Sequence, residues 1–348
     1  MREPAGQGQG PGVRHQSLGS RRPVAGRPGG GRRGAPRRAR RRTARRAAMS
    51  VAERGRLQPV HTRVVEVGPH GWRAVWVKDE TRQISGAFKY RGNAHRVAGL
   101  PAGAEVVTAS TGNHAAGLAC AAAERGLPVR VFVPRTAPLA KRRRIAGAGA
   151  EVSLVQGSYD DCEAVARAYA AERAAVFVHS FDDPGIIEGH RSLYREVGEE
   201  TGPPDVAFVP VGGGGLVTAG IAEWGEGPTR LVGVEYRAAP AMKLSLEAGR
   251  RVRLDEARGM PEGLLVRRIG ARPFEACLAY GLEVRTVDDR ALHRAMRTLW
   301  SEAGIRAEGA GAAAFAAALQ APDPRRVALC VVSGGNVDDR VWNDCLLG

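Results

Sequence analysis

Four short segments hold residue types that could do chemistry. Ser85-Gly86-Ala87-Phe88-Lys89-Tyr90-Arg91-Gly92 puts a lysine beside an aromatic residue, just after an apolar run. A lysine amine is a Schiff-base nucleophile and, once free, a base, provided burial or a cationic neighbour lowers its pKa. Arg91 is the candidate neighbour. For a lone lysine, a solvated turn is the simpler reading. Ser110-Thr111-Gly112-Asn113-His114 lies between a strand and a helix. Free N–H groups at a helix start can receive an anion such as a carboxylate, although Ser, Thr and Asn are also ordinary N-caps. Gly212-Gly213-Gly214-Gly215-Leu216 joins another strand to another helix. Four glycines let the backbone wrap a phosphate at the helix N-terminus. A flexible linker is the alternative, but linkers of that kind are Ser-rich and not wedged between a strand and a helix. The run is not the GxGxxG dinucleotide fingerprint. Ser333-Gly334-Gly335-Asn336 follows the last apolar run.

The elements that must position these segments alternate. Extended runs fall at 62–67 and 74–78, then at 105–110, 129–134, 151–156, 176–180, 206–211, 230–235, 282–288 and 326–333. Helical patterns lie between them. One starts near 113 and is stopped by Gly126, one opens at Pro138, and others cover about 159–173, 216–224, 289–303 and 310–320. Continuous apolar strands separated by helices indicate an α/β fold with parallel sheets covered on both faces.

Charge is concentrated at one end. The 348 residues carry a formal net charge of +16, but residues 1–48 hold fourteen arginines and one acid, Glu3, which leaves the rest at +3. The body therefore has no composition typical of a nucleic-acid or membrane-surface protein. No run approaches the ~18 apolar residues of a transmembrane helix. Residues 1–48 are Arg, Gly, Pro and Ala with few large apolar side chains, so a disordered extension is expected. A weak, salt-sensitive affinity for polyanions is its one expected interaction. Five cysteines without metal-type spacing are expected to be inert buried thiols in a reducing cytoplasm.

Taken together, the four segments resemble fold-type II pyridoxal-phosphate enzymes, in the branch of threonine/serine dehydratases and serine racemase. The resemblance runs over about residues 58–340 and is supported by FDDPGIIEG at 181–189, Glu262-Gly263-Leu264 and Glu308-Gly309-Ala310-Gly311-Ala312. It implies a two-domain fold like that of the tryptophan synthase β subunit. A large domain of 50–96 and 179–348 would carry a small inserted domain, 97–178. It implies pyridoxal 5'-phosphate as cofactor, with Lys89 as its Schiff-base partner and Phe88 near the ring. Asn113 would bond the 3-hydroxyl, Gly212, Gly213, Gly214, Gly215 and Leu216 the phosphate, and Ser333 the pyridine nitrogen. Ser110, Thr111, Gly112, Asn113 and His114 would receive the substrate carboxylate. A homodimer is expected, as is a small amino-acid substrate.

The chain also departs from that pattern. Thr111 stands where dehydratases commonly have Ala and serine racemase a second Ser. Gly309 replaces a usual Pro, and Gly189-His190-Arg191-Ser192 replaces Gly-Gln-Gly-Thr. The family's divalent-cation site uses a Glu and an Asp six residues on. Here Glu235 is followed by Ala241 at the second position, so no metal is expected. Only 12 residues follow Asn336, so no C-terminal regulatory domain is expected. The activity implied is dehydration of L-threonine, L-serine or a related β-hydroxy amino acid to a 2-oxo acid and ammonia. Replacement at the β or γ carbon, as in threonine synthase, and racemisation are the alternatives on the same scaffold. A remote alternative is a non-catalytic nucleic-acid binder acting through the Arg-rich arm.

Overall fold

The computed structural model describes residues 57–347, and the expectations for residues 1–48 lie outside them. Two sheets form the scaffold. The first contains β1 (Val64–Glu66), β2 (Ala74–Asp79), β7 (Val206–Pro210), β8 (Arg230–Tyr236), β9 (Glu283–Val287) and β10 (Val327–Val332). Its order is β1-β2-β10-β7-β8-β9. Only β1 is antiparallel to its neighbour. The second contains β3 (Val106–Ala109), β4 (Val129–Pro134), β5 (Glu151–Val155) and β6 (Val176–Phe177), all parallel, in the order β5-β4-β3-β6.

The helices are α1 (Lys89–Ala98), α2 (Asn113–Glu124), α3 (Leu139–Gly147), α4 (Tyr159–Arg173), α5 (Pro184–Thr201), α6 (Gly215–Trp224), α7 (Ala241–Glu247), α8 (Ala271–Tyr280), α9 (Asp289–Ala303), α10 (Gly309–Gln320) and α11 (Asp339–Leu347). Local chemistry sets several starts. Ser158 accepts from Asp161 N, and the Asp161 carboxylate accepts in return, which closes a capping box before α4. Asp183 caps α5 with Pro184 in its first turn. Pro138, expected inside the first turn, is the N-cap of α3 instead, because its ψ of 141° is extended.

β3, β7 and β10 are buried along their whole length, and α10, built almost wholly of Ala and Gly, lies inside the core beside them. Small side chains there let helix and sheet approach closely. All five cysteines are free, four of them buried, and burial raises the thiol pKa of each. Such thiols carry little thiolate near neutral pH. Among the described residues no helix is long and apolar enough to cross a membrane.

Candidate active site

The candidate residues converge at the carboxyl ends of parallel strands, where open α/β sheets place their ligand sites. Ser110 follows β3, Gly212 follows β7, Ser180 follows β6 and Ser333 follows β10. Residues 85–88 are then laced to residues 333–336. Phe88 N donates to Ser333 O at 2.9 Å and Gly335 N to Gly86 O at 3.0 Å. Ala87 and Gly334 form an isolated bridge. Gly86 has φ +75°, and a Cβ there would stand 2.4 Å from Asn336 Oδ1. This lacing places Lys89, the first residue of α1, beside Ser333.

The Lys89 amine donates to Ser180 O at 2.7 Å and lies 5.0 Å from the centre of the Phe88 ring. Burial brings its pKa down to about 8. Arg91 does not contribute, contrary to the sequence expectation. Its guanidinium is turned away and fully buried between Glu80 and Glu196, at 2.8 Å and 2.6 Å. Lys78 joins the same cluster through Glu196 at 2.7 Å. The loss of solvent around Lys89, not a neighbouring cation, is what tunes it.

The glycine run is a cradle and not a linker. A Cβ on Gly213 would lie 2.1 Å from the Phe181 ring, one on Gly212 2.6 Å from Gly263 O, and one on Gly215 2.8 Å from Phe181 O. Gly214 adopts φ +95°. Leu216 sits in the first turn of α6, whose leading N–H groups have no intrahelical acceptor. Ser333, 5 % exposed, stands at the end of β10.

Asn113 opens α2. Its Nδ2 donates to Glu308 Oε1 at 2.6 Å, and its Oδ1 accepts from Asn336 Nδ2 at 2.8 Å and Arg144 Nη2 at 3.3 Å. Burial raises the Glu308 pKa. Ser110 Oγ accepts from Gly112 N at 3.3 Å, Thr111 is half-buried and Gly112 is exposed. These residues form the N-terminal end of α2, whose leading amides have no intrahelical acceptor. The His114 side chain departs from this loop. It turns into the core, with Nε2 3.1 Å from Thr108 Oγ1 and 3.4 Å from Val178 O. Only the His114 backbone belongs to the loop.

The sequence reading missed Ser180, Asn93, Tyr159 and the role of Glu308. Tyr159 OH lies 3.5 Å from Ser180 Oγ. Asn93 Nδ2 donates to Lys89 O at 2.8 Å and His114 O at 3.3 Å, tying α1 to α2. Ser180, Asn93 and Tyr159 have no motif of their own, and Glu308, which lies within the 308–312 match, meets Asn113 195 residues away. At the candidate cation position, Glu235 accepts from Met242 N at 2.7 Å and Lys243 N at 2.9 Å, one on each oxygen. Among the described residues, no three His, Cys, Asp or Glu side chains come together as a metal site.

A half-buried amine of lowered pKa, a hydroxyl at a strand end and a glycine run closed to any Cβ fit a phosphorylated aldehyde cofactor. The sequence profile of the family described as "Pyridoxal-phosphate dependent enzyme" matches residues 60–334, and the chain belongs to that family. It is an α/β enzyme of fold type II. It is 36 % identical over 284 residues to an L-threonine ammonia-lyase of Thermotoga maritima, covering 78 % of this chain and 71 % of the relative. Among solved structures it is similar to the processed form of threonine deaminase isoform 2 from Solanum lycopersicum. The TM-score is 0.78 at 25 % identity, over 84 % of this chain and 88 % of that one. It is also similar to maize serine racemase, with TM-score 0.76 at 28 % identity, over 82 % and 92 % of the two chains.

Proposed function

We propose that the protein is a pyridoxal-phosphate-dependent ammonia-lyase that dehydrates L-threonine or L-serine to a 2-oxo acid and ammonia. The observation that carries this reading is the Lys89 amine, drawn below its usual pKa, bonded to Ser180 O and next to Phe88, whose amide is bonded to Ser333 O. The names of the relatives agree with it.

When bound, the cofactor supplies the electron sink that makes the Cα proton acidic. The chain's own residues do the rest. The amides from Gly212 to Leu216 would hold the phosphate, Asn113 would bond the 3-hydroxyl, and Phe88 would lie near the ring. Amides and hydroxyls of Ser110 to His114 orient the substrate carboxylate. Lys89, freed as an amine, takes the Cα proton. Ser333 would offer a hydroxyl, not a carboxylate, to the pyridine nitrogen, which would not favour a proton there. A weaker sink favours prompt loss of the β-substituent.

The cleft would lie between a small inserted domain, 97–178, and a large one made of 50–96 and 179–348. The active form would be a homodimer working in a reducing cytoplasm, where five free thiols are safe. The test is a panel of L- and D-serine, L- and D-threonine and 3-hydroxyaspartate. Oxo acid, ammonia and the chirality of recovered substrate are scored. Stoichiometric oxo acid and ammonia from an L-β-hydroxy amino acid is the expected result. Racemised substrate without ammonia, or turnover only with an added nucleophile, would replace this reading with racemisation or β-replacement.

A further inference from the structure

The His114 ring plays no part in the carboxylate loop, yet it is buried and feels the charge of Lys89. Three links fix that neighbourhood. His114 Nε2 approaches Val178 O at 3.4 Å, and the Lys89 amine donates to Ser180 O at 2.7 Å. These carbonyls are two residues apart on the segment leaving β6, a reach of about 7 Å. Asn93 Nδ2 clamps the backbone carbonyls of Lys89 and His114 together. Burial first, then the charges of Lys89 and His179, hold the ring pKa well below its usual value.

Proton accounting fixes its tautomer. Thr108 has one hydroxyl proton, and its Oγ1 donates to Val178 O at 2.8 Å. At 3.1 Å from His114 Nε2 the same oxygen can then only accept. The proton is on Nε2, and Nδ1 is a bare lone pair, buried and without a partner. A buried acceptor left unmatched is costly unless something visits it.

We propose that His114 Nδ1 is a docking point for the Lys89 ammonium, so that His114 positions the amine whenever its nitrogen carries a proton. This rests on the reading of Lys89 as the reactive amine. A lysine ammonium has three donors, and Ser180 O takes one. A second acceptor restrains the freed amine from swinging out of line with the carbon whose proton it carries. Other groups face the same region. These are His190 from α5, fully buried and without partners, Tyr159 from α4, and His179 after β6, 3.6 Å from Glu163. Arg91 in α1 is spoken for by Glu80 and Glu196.

Two isosteric changes separate the ring's nitrogens. His114→Gln keeps a donor at the ε position and loses the δ acceptor, while His114→Asn keeps an acceptor at the δ position. The full chain, freed of cofactor, is reductively methylated across pH, and labelling of Lys89 is followed by mass spectrometry. Wild type should label with a midpoint near 8, the value to which burial brings the amine. In His114→Gln the midpoint should fall by about one unit, since a tenfold loss of ammonium stabilisation is one pKa unit. Its kcat, with cofactor, should fall by about the same factor at little-changed KM. His114→Asn should restore most of both. Thr108→Val, which frees the tautomer and leaves the ring in place, should shift the midpoint in the same direction. An unmoved midpoint in Gln and Val variants, or an Asn variant as shifted as Gln, overturns the proposal. A wild type that labels as described but turns over no amino acid would instead defeat the proposed function.

Discussion

Replacing Gly213 by alanine tests the cradle directly. The added Cβ would lie 2.1, 2.2 and 2.3 Å from three atoms of the Phe181 ring, so the ring or the loop must move. Phe181 is not free to do so. Its ring meets His179 edge-on at 4.5 Å, and its amide donates to His179 Nδ1 at 3.3 Å. Overpacking of this kind costs about 1–3 kcal/mol. If that strain falls on the phosphate-holding amides, cofactor affinity should drop by about 5- to 150-fold. The assay is a titration of cofactor-free protein with pyridoxal phosphate, followed by absorbance.

The double variant Gly213→Ala/Phe181→Ala removes the obstacle and should recover most of the affinity. Gly215→Ala should not be rescued by Phe181→Ala, because its Cβ meets Phe181 O, a backbone atom, at 2.8 Å. Unchanged affinity in Gly213→Ala, or equal rescue of both alanine variants, would refute the claim that close approach dictates the glycines.

Other consequences follow from the buried charges and the strand-end hydroxyl. Arg91→Met leaves Glu80 uncompensated at a fully buried site, and should cost about 3–5 kcal/mol of stability in denaturant unfolding; adding Glu80→Gln should return much of it. Glu235 is raised to about 7 by burial, so the folded state binds its proton more tightly than the unfolded chain. Stability relative to Glu235→Gln should therefore decline as pH rises from about 4.5 to about 7, then level off, as read by thermal melts. Because both Glu235 oxygens already accept backbone amides, chelator should leave the melting temperature unchanged. Ser333→Asp should slow oxo-acid release relative to deuterium uptake at Cα, while Ser333→Ala should keep more of the elimination; an unchanged ratio in the Asp variant, with cofactor still bound, would show that Ser333 does not tune the ring.

Segments whose function lies in the backbone were readable, and side-chain directions were not. The glycine run could be read because four Cβ-free residues between a strand and a helix have few other uses. Arg91 was misplaced because two residues along a helix do not face the same way. Reading 89–92 as a turn hid that geometry, and its partners Glu80 and Glu196 lie 11 and 105 residues away. The α1 helix itself escaped periodicity for the same reason. Its buried face carries Arg91, Gly92 and Asn93, so no apolar stripe marks it. His114 was assigned with its neighbours in the loop. One step along the helix is about 100°, enough to send its ring into the core while Asn113 faces Glu308 and Asn336.

The two sheets each carry part of the candidate site, and a few polar bonds add to the apolar packing of α1 and α5 on the second sheet. The carboxyl ends of β10 and β7 bring Ser333 and the glycine run, while those of β3 and β6 bring residues 110–114 and the carbonyl that holds Lys89. Asn113 is bonded to Glu308 and Asn336 across that divide, and Asn93 ties α1 to α2 behind it. An apolar seam would fix the parts by shape alone. The bonds of Asn113 to Glu308 and Asn336 add direction to it. The buried Arg91 cluster serves the same end at the first turn of α1. It anchors that turn to Glu80 and Glu196.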